Sequence, residues 1–301
     1  MEKVHVSVGI AAYNEESGIK KTLEQVLSQN CTNFVIDEVI VNSDGSNDRT
    51  DQIVQAFQSP LIRLLADGKR KGKGTRVNEI MVKAKSEILI LLDADINMQS
   101  RNTFYELIQP ICNSKDVVLT SGDIHPSKPV TTMQKLLLVG VNLWDKTIAK
   151  NYGSGAYYCS GAIRAMHHKL YKKLRFPAIK AEDVYPYLFS KKNKIGEFVF
   201  VEKASVQYTL PRSYSDYLSQ MRRYLGAIQE QENFFDQDFL HEEFTITTKD
   251  KIRTLVNEFL NQPLWVMSYF VLLIVIRLNI YLFPKKQATQ SGVWDAVASS
   301  K

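Results

Sequence analysis

Cysteine is scarce in this chain. Its three residues, Cys31, Cys112 and Cys159, are odd in number and far apart. No CxxC pair occurs, so neither a zinc site nor a disulfide framework is expected, and the pattern suits a reducing compartment. Internal repeats and low-complexity segments are also missing. The amino terminus lacks the unbroken apolar stretch of a signal peptide: Glu2, Lys3 and His5 interrupt it, and Val4–Ile10 is short enough to read as a strand. Membrane-length apolar sequence is confined to Leu264–Phe283, which excludes a many-span membrane protein. No charge sign dominates: 38 basic against 32 acidic residues leave +6. That mild excess favours anionic partners such as nucleotides, lipid head groups or nucleic acid without choosing among them. What is present is a chain of 301 residues, 45% hydrophobic and 23% charged. It is long enough for one large α/β domain, or one domain plus an appendage, and too apolar for a mainly disordered chain.

The first half alternates strand and helix. Val4–Ile10, Val35–Val41, Leu61–Leu65 and Glu87–Leu92 read as strands. Between them Ile19, Leu23, Val26 and Leu27, then Ile53, Val54 and Phe57, then Val77, Ile80, Met81 and Ala84 recur at helical spacing. Ile88 to Leu92 is apolar without a break, as in a strand buried on both faces of a helix-covered parallel sheet. The order predicts a doubly wound, mostly parallel α/β sheet whose ligands lie beyond the carboxyl ends of the strands. Beyond about residue 96 the rhythm changes. A strand at Val117–Thr120 precedes a helical stripe from Met133 to Ile148, a Gly- and Tyr-rich stretch from Asn151 to Gly161 and a basic stretch from His167 to Arg175. Strands at Phe198–Val201 and Ser205–Thr209 and a helix over Ser213–Gln231 follow, and the tail after Pro284 reads as loose.

Polar groups follow each of the first four strands. After the first come Ala12, Tyr13, Asn14, Glu15 and Glu16; after the second, Asp44-Gly45-Ser46; after the third, Gly72-Lys73-Gly74; after the fourth, Asp93-Ala94-Asp95. Two carboxylates so close repel unless a cation lies between them or one stays protonated, and their oxygens suit magnesium or manganese held partly by substrate phosphates. The same Asp-Ala-Asp equally suits an Asx-turn closing the strand. Gly72–Gly74 opens a helix, where backbone N–H groups and lysine favour a phosphate, although a solvated basic turn reads the same way. The P-loop spacing GxxxxGK[ST] is absent. The five histidines make poorer bases; His125, His167 and His168 read as surface residues, and His125 is a distant candidate for an extra metal ligand.

Taken in order, these segments resemble the nucleotide-binding half of GT-A fold glycosyltransferases of family 2. Tyr13–Glu16, Asp44–Ser46, Gly72–Gly74 and Asp93–Asp95 are similar to that family's Tyr-Asn-Glu-Glu, Asp-Asp-Gly-Ser, Gly-Lys-Gly and DXD segments. Cys159–Ala162 with Arg164 resembles the small-residue segment on the acceptor side. Glu182-Asp183 is similar to the Glu-Asp motif, and Gln220-Met221-Arg222-Arg223-Tyr224 to QxxRW with tyrosine for tryptophan. Ser43 stands where many members carry a first aspartate.

The resemblance implies a nucleotide-sugar-binding half over 1–100, an acceptor-binding and catalytic half over 101–235, and a carboxyl-terminal helical segment over 236–301. It implies transfer of one sugar from a nucleoside-diphosphate sugar, UDP-linked by family weighting, to a hydroxyl of a lipid-linked or membrane-proximal glycan, with inversion, as in cell-envelope polysaccharide synthesis. Asp95 and Asp93 would hold a divalent metal (Mn2+ or Mg2+). Ala12, Tyr13, Glu15, Asp44, Lys73, Asp93, Asp95 and Gln220 would bind the donor, Arg222 and Arg223 would share the leaving diphosphate's charge, and Asp183 would be the base. A polyprenyl-phosphate sugar synthase and a catalytically silent, membrane-attached nucleotide-binding module are the alternatives. A nucleic-acid partner is not expected, because the basic residues cluster beside carboxylates instead of forming a stripe.

Leu264–Phe283 has the length of a membrane helix, but Arg277 and Asn279 weaken a span. With the catalytic half on the cytoplasmic face of the membrane, Lys285 and Lys286 would lie outside, against the positive-inside tendency, while Lys249, Lys251 and Arg253 agree with it. A re-entrant or in-plane helix with Arg277 snorkelling resolves the conflict, and a helix buried on the soluble domain is the plainer alternative.

Overall fold

The computed structural model describes residues 3–149, 153–179, 182–225 and 227–284. Strands β1 (Val4–Ala12), β2 (Phe34–Ser43), β3 (Ile62–Ala66) and β4 (Ile88–Asp93) alternate with α1 (Ile19–Leu27), α2 (Thr50–Gln55) and α3 (Lys73–Lys83). The second half runs β5 (Asn97–Met98), α4 (Thr103–Asn113), β6 (Val117–Pro126), α5 (Thr132–Ile148), β7 (Ile163–His167), α6 (His168–Tyr171), α7 (Tyr185–Lys192) and β8 (Glu197–Tyr208). Helices α8 (Tyr214–Tyr224), α9 (Ala227–Gln231), α10 (Gln237–Phe244), α11 (Thr248–Asn261) and α12 (Pro263–Leu282) close the described chain.

The strands form one sheet in the order β3-β2-β1-β4-β7-β6-β8-β5. β1 to β4 are parallel, β7 is antiparallel to both β4 and β6, and β8 runs parallel to β6. Two reversals restore direction, so β6 and β8 end on the same sheet edge as β4, and β7 begins there. This edge collects Ala12, Asp44, Asp93, the Cys159–Gly161 segment and Tyr208.

Side-chain alternation explains why both faces are covered. Val6, Val8 and Ile10 of β1 and Ile88, Ile90 and Leu92 of β4 pack under α1 and α4 with Ile19, Leu23, Phe104 and Leu107. Leu89 and Leu91 point the other way, onto Val77, Ile80 and Met81 of α3 and Leu170 and Leu188. A third, smaller cluster joins α5, α8 and α12 through Leu137, Tyr217 and Ile276.

Several expectations change in detail. The strand expected at Val117–Thr120 continues to Pro126. The two expected strands at Phe198–Val201 and Ser205–Thr209 are the single strand β8, whose pairing with β6 slips between Gly122 and Ile124 beside the exposed Glu202 and Lys203. The helix expected over Ser213–Gln231 breaks at Leu225, whose backbone is extended. Elements β5, β7, α4, α6, α7, α10 and α11 add to those read from the sequence. Asn151, Lys285, Lys286 and the tail after Pro284 lie outside the described residues.

Candidate active site

The first two strand-end loops are stitched into one unit. The Asn14 N–H donates to Ser46 Oγ at 3.1 Å, the Glu15 N–H to Thr50 Oγ1 at 2.7 Å, and the Asn47 N–H to Asn14 Oδ1 at 2.9 Å. Ala12 is buried at the strand end, and its carbonyl accepts from the Asp44 N–H at 2.8 Å.

Asp44 is 2% exposed, and its carboxylate faces the loop that follows β3. It accepts from the N–H groups of Lys71 (2.7 Å) and Gly72 (3.0 Å), from Arg76 Nε (3.0 Å) and from Arg70 Nη1. The Arg70 guanidinium in turn covers the Tyr13 ring, 3.3 Å from its centroid. Arg76, buried in the first turn of α3, also donates to Asp67 at 2.6 Å and to Glu79 at 2.9 Å. Arg76 and Lys71 hold the Asp67 carboxyl well below the usual carboxylate range. Asp44 thus clamps the Gly72–Gly74 loop against the sheet edge. Arg76 was not among the expected site residues, since an arginine in the first turn of a helix reads as solvated; the Arg76–Glu79 spacing of three was the available signal.

The second cluster joins the residues expected to take part in the chemistry. Asp93 ends β4 half-buried, and Asp95 stands exposed two residues beyond. Lys73 Nζ, at the start of α3, bridges Asp93 Oδ1 at 2.7 Å and the buried Glu182 Oε1 at 2.8 Å. Desolvation alone would lower the Lys73 ammonium, but the charges of Asp93 and Glu182 outweigh it and hold it above the ordinary lysine value. Asp183, next to Glu182, lies over Gly161: any Cβ there would collide with its carboxylate, so only glycine leaves the space. Its backbone carbonyl accepts from Arg164 Nη1 at 3.0 Å, fixing the segment from below. Desolvation and then the charge of Glu182 push the Asp183 carboxyl up to about 6, with Lys73 and Arg164 opposing. Because Asp183 is exposed, the neighbouring Glu182 charge is the sturdier of the two causes.

From α8, Gln220 Nε2 donates to the Tyr224 hydroxyl at 3.2 Å. Desolvation, followed by the Asp183 charge, raises the Tyr224 phenol, and Asp93 adds to it. The tyrosine of the QxxRW-like segment therefore lies close to both carboxylates. Arg223 is its half-buried neighbour. Arg222 turns elsewhere: its Nη2 donates to Asn279 Oδ1 and to the Phe283 carbonyl, both at 3.1 Å, at the end of α12.

Two other features lie apart. Glu87, His167 and His168 bring ligand atoms within 4.8 Å of one another, but at the opposite sheet edge from Asp93. His125 is exposed and pairs with Asp123 at 2.6 Å. A cavity of about 630 Å³ between α5 and α11, lined by Lys146, Arg253, Asn257 and Glu258 among others, contains none of the expected site residues.

The chain is similar to known proteins in sequence and in fold. A dolichyl-phosphate beta-glucosyltransferase of Trichomonas vaginalis is 34% identical over 102 residues, 31% of this chain and 30% of the relative. The match thus spans less than a third of that relative's length. A UDP-Glc:alpha-D-GlcNAc-diphosphoundecaprenol beta-1,3-glucosyltransferase of Escherichia coli is 27% identical over 180 residues, 59% of this chain and 66% of the relative. Among solved structures, a mannosyltransferase of Pyrobaculum calidifontis in complex with GDP-Man and Mn2+ superposes with a TM-score of 0.67 at 17% identity, covering 95% of this chain and 89% of the other. The curled, mostly parallel sheet is the GT-A fold. Residues 7–175, which carry all four strand-end segments, match the family described as glycosyl transferase family 2, and the chain belongs to that family of glycosyltransferases.

Proposed function

We propose that this glycosyltransferase moves one sugar from a nucleoside-diphosphate sugar to a hydroxyl of a lipid-linked or membrane-proximal glycan, with inversion, at the cytoplasmic face of the membrane. The observation that carries the reading is the bridge from Asp93 through Lys73 to Glu182, adjoining Asp183. It supports a shared site, because one ammonium links the expected donor-side carboxylate to the residue beside the expected base.

Asp93 and Asp95 offer an oxygen-only donor set at a strand end, which fits a hard divalent ion whose remaining positions phosphate oxygens complete. Such an ion supplies Lewis acidity toward the diphosphate when bound. The P. calidifontis mannosyltransferase, solved with Mn2+, supports this choice. Lys73, kept charged by its neighbours, and Arg223 stand ready for the diphosphate's developing charge. Tyr13, with Arg70 over one face of its ring, borders the space for the nucleoside, and Glu15 and the clamped Asp44 set the loops around it. Asp183 takes the acceptor hydroxyl's proton as that oxygen attacks the anomeric carbon. The bond to the diphosphate oxygen breaks on the opposite side, so the nucleoside diphosphate departs and the anomeric centre inverts.

The E. coli relative, whose name gives UDP-glucose as donor and a diphosphoundecaprenol-linked sugar as acceptor, supports a UDP-sugar and a hydroxyl acceptor in cell-envelope polysaccharide synthesis. The similarity to a dolichyl-phosphate glucosyltransferase favours a second reading, with a polyprenyl phosphate as acceptor and less need for Asp183. A direct test supplies UDP-glucose, UDP-N-acetylglucosamine and GDP-mannose with Mn2+ to the detergent-solubilised enzyme. Each donor is offered either a diphosphoundecaprenol-linked sugar or undecaprenyl phosphate. Transfer to the linked sugar is expected; transfer to the bare phosphate alone would establish the second reading, and no transfer from any donor would sink both.

A further inference from the structure

Helix α12 is apolar around its whole circumference, with Arg277 its one charged residue. Such helices normally lie in a protein core or in lipid; this one divides its surface. One side, through Tyr269, Leu272, Leu273 and Ile276, packs on α5 and α8. Tyr269 presses against Gly140 so closely that any Cβ at Gly140 would overlap its ring. The contacts continue to the far end, where Asn279 and the Phe283 carbonyl accept from Arg222. The opposite side leaves Met267, Val271, Ile274 and Leu278 more than half exposed.

Helix α11 is inside out. Asp250, Thr254 and Glu258, spaced by four, are its buried residues, and Glu258 pairs with Lys146. Ile252, Val256, Phe259 and Leu260 face outward, with Leu260 75% exposed. In water this orientation places each face in the wrong solvent.

We propose that α11 and α12 together form an in-plane dock on a lipid bilayer, with their outer apolar sides immersed and neither helix crossing. A spanning α12 would carry α5 and α8, packed along its length, into hydrocarbon together with Lys135, Asp145, Lys146, Arg222 and Arg223. Lying in the interface, it immerses only its free side, as monotopic helices do. Exposed Lys249, Lys251 and Arg253 on α11 and Arg277 on α12 are basic, which suits anionic head groups. This deepens the membrane placement proposed above and does not depend on which donor or acceptor the enzyme uses.

The test is flotation of the full-length protein with phosphatidylcholine vesicles, with and without phosphatidylglycerol. Co-flotation strengthened by phosphatidylglycerol is expected. Val256→Glu and Val271→Glu, at exposed positions, should each weaken partitioning about tenfold without lowering the melting temperature. Cysteines introduced one at a time by Gln262→Cys and Phe283→Cys, in a Cys31→Ser, Cys112→Ser background that keeps only the buried Cys159, then report topology. Labelling of both by an impermeant maleimide added outside the vesicles is expected; labelling of only one means the helix spans, and overturns the dock. No flotation, with a dimer that V256E or V271E dissolves, would assign the face to a second copy and also overturn it. Co-flotation without sugar transfer would instead leave the dock standing and remove the proposed function.

Discussion

Asp183 owes its chemistry to its neighbours. A carboxyl raised to about 6 is protonated below that pH and cannot accept a proton, so kcat/KM should rise with pH and level off above about 6. The same shift means that protonation of Asp183 favours the folded chain, a contribution present at low pH and lost as pH rises through about 6. Asp183→Asn should lower kcat by about 10²–10⁴-fold while leaving the donor Kd unchanged, measured by transfer assay and calorimetry. A near-normal rate would remove Asp183 as the base. Arg76 makes the complementary case for structure. Arg76→Met leaves Asp44, Asp67 and Glu79 without their shared cation and should cost about 3–5 kcal/mol, visible in urea unfolding. Lys73, Asp93 and Asp183 could be picked out as candidates from the sequence because each follows a strand or belongs to a recognisable short motif. Glu182's bond to Lys73 and Arg76's hold on Asp44 were not, because they join segments whose approach only the folded loops decide. Arg222 was legible as a cation, but its direction, toward α12, was not.

At the scale of elements, the first four strands were readable because their apolar runs are bounded by polar strand-end segments. Strand β7 was hidden by its neighbours: five residues wedged between a Gly-rich segment and a basic one carry too short a pattern. Helix α11 escaped notice because its apolar residues sit on the outside, so its period does not mark a core face. The joint between α5 and α12 can be tested on its own. Gly140→Leu places a side chain where the Tyr269 ring now lies, and overpacking of this kind costs about 1–3 kcal/mol. A lowered melting temperature with an unchanged donor Kd is expected; an unchanged melting temperature would mean that α12 does not rest on α5. This joint also changes what truncation can reveal. Removing residues 264–301 uncovers Leu137 and Tyr217, so loss of solubility after that deletion would reflect an exposed core as much as a missing anchor.

For the whole molecule, a donor that binds only the folded state raises the melting temperature by mass action. The gain is about 2.7 kcal/mol at a hundred times Kd. With Asp93 and Asp95 as metal ligands, that gain should shrink on chelation by EDTA and return with Mn2+. A shift indifferent to chelation would mean that the two carboxylates do not serve a metal. Fold class was legible from the strand–helix alternation alone, whereas the sheet order was not, because the second half brings three antiparallel pairings into the sheet. The central position of β7, between β4 and β6, has a consequence for descent. Lys73 and Asp93 come from before that strand and Glu182 from after it, so their ion pairs close across its two antiparallel seams. Exchange of segments between lineages is therefore expected to succeed only where both partners of those ion pairs are kept, and chimeras cut just after β4 are where that can be tried.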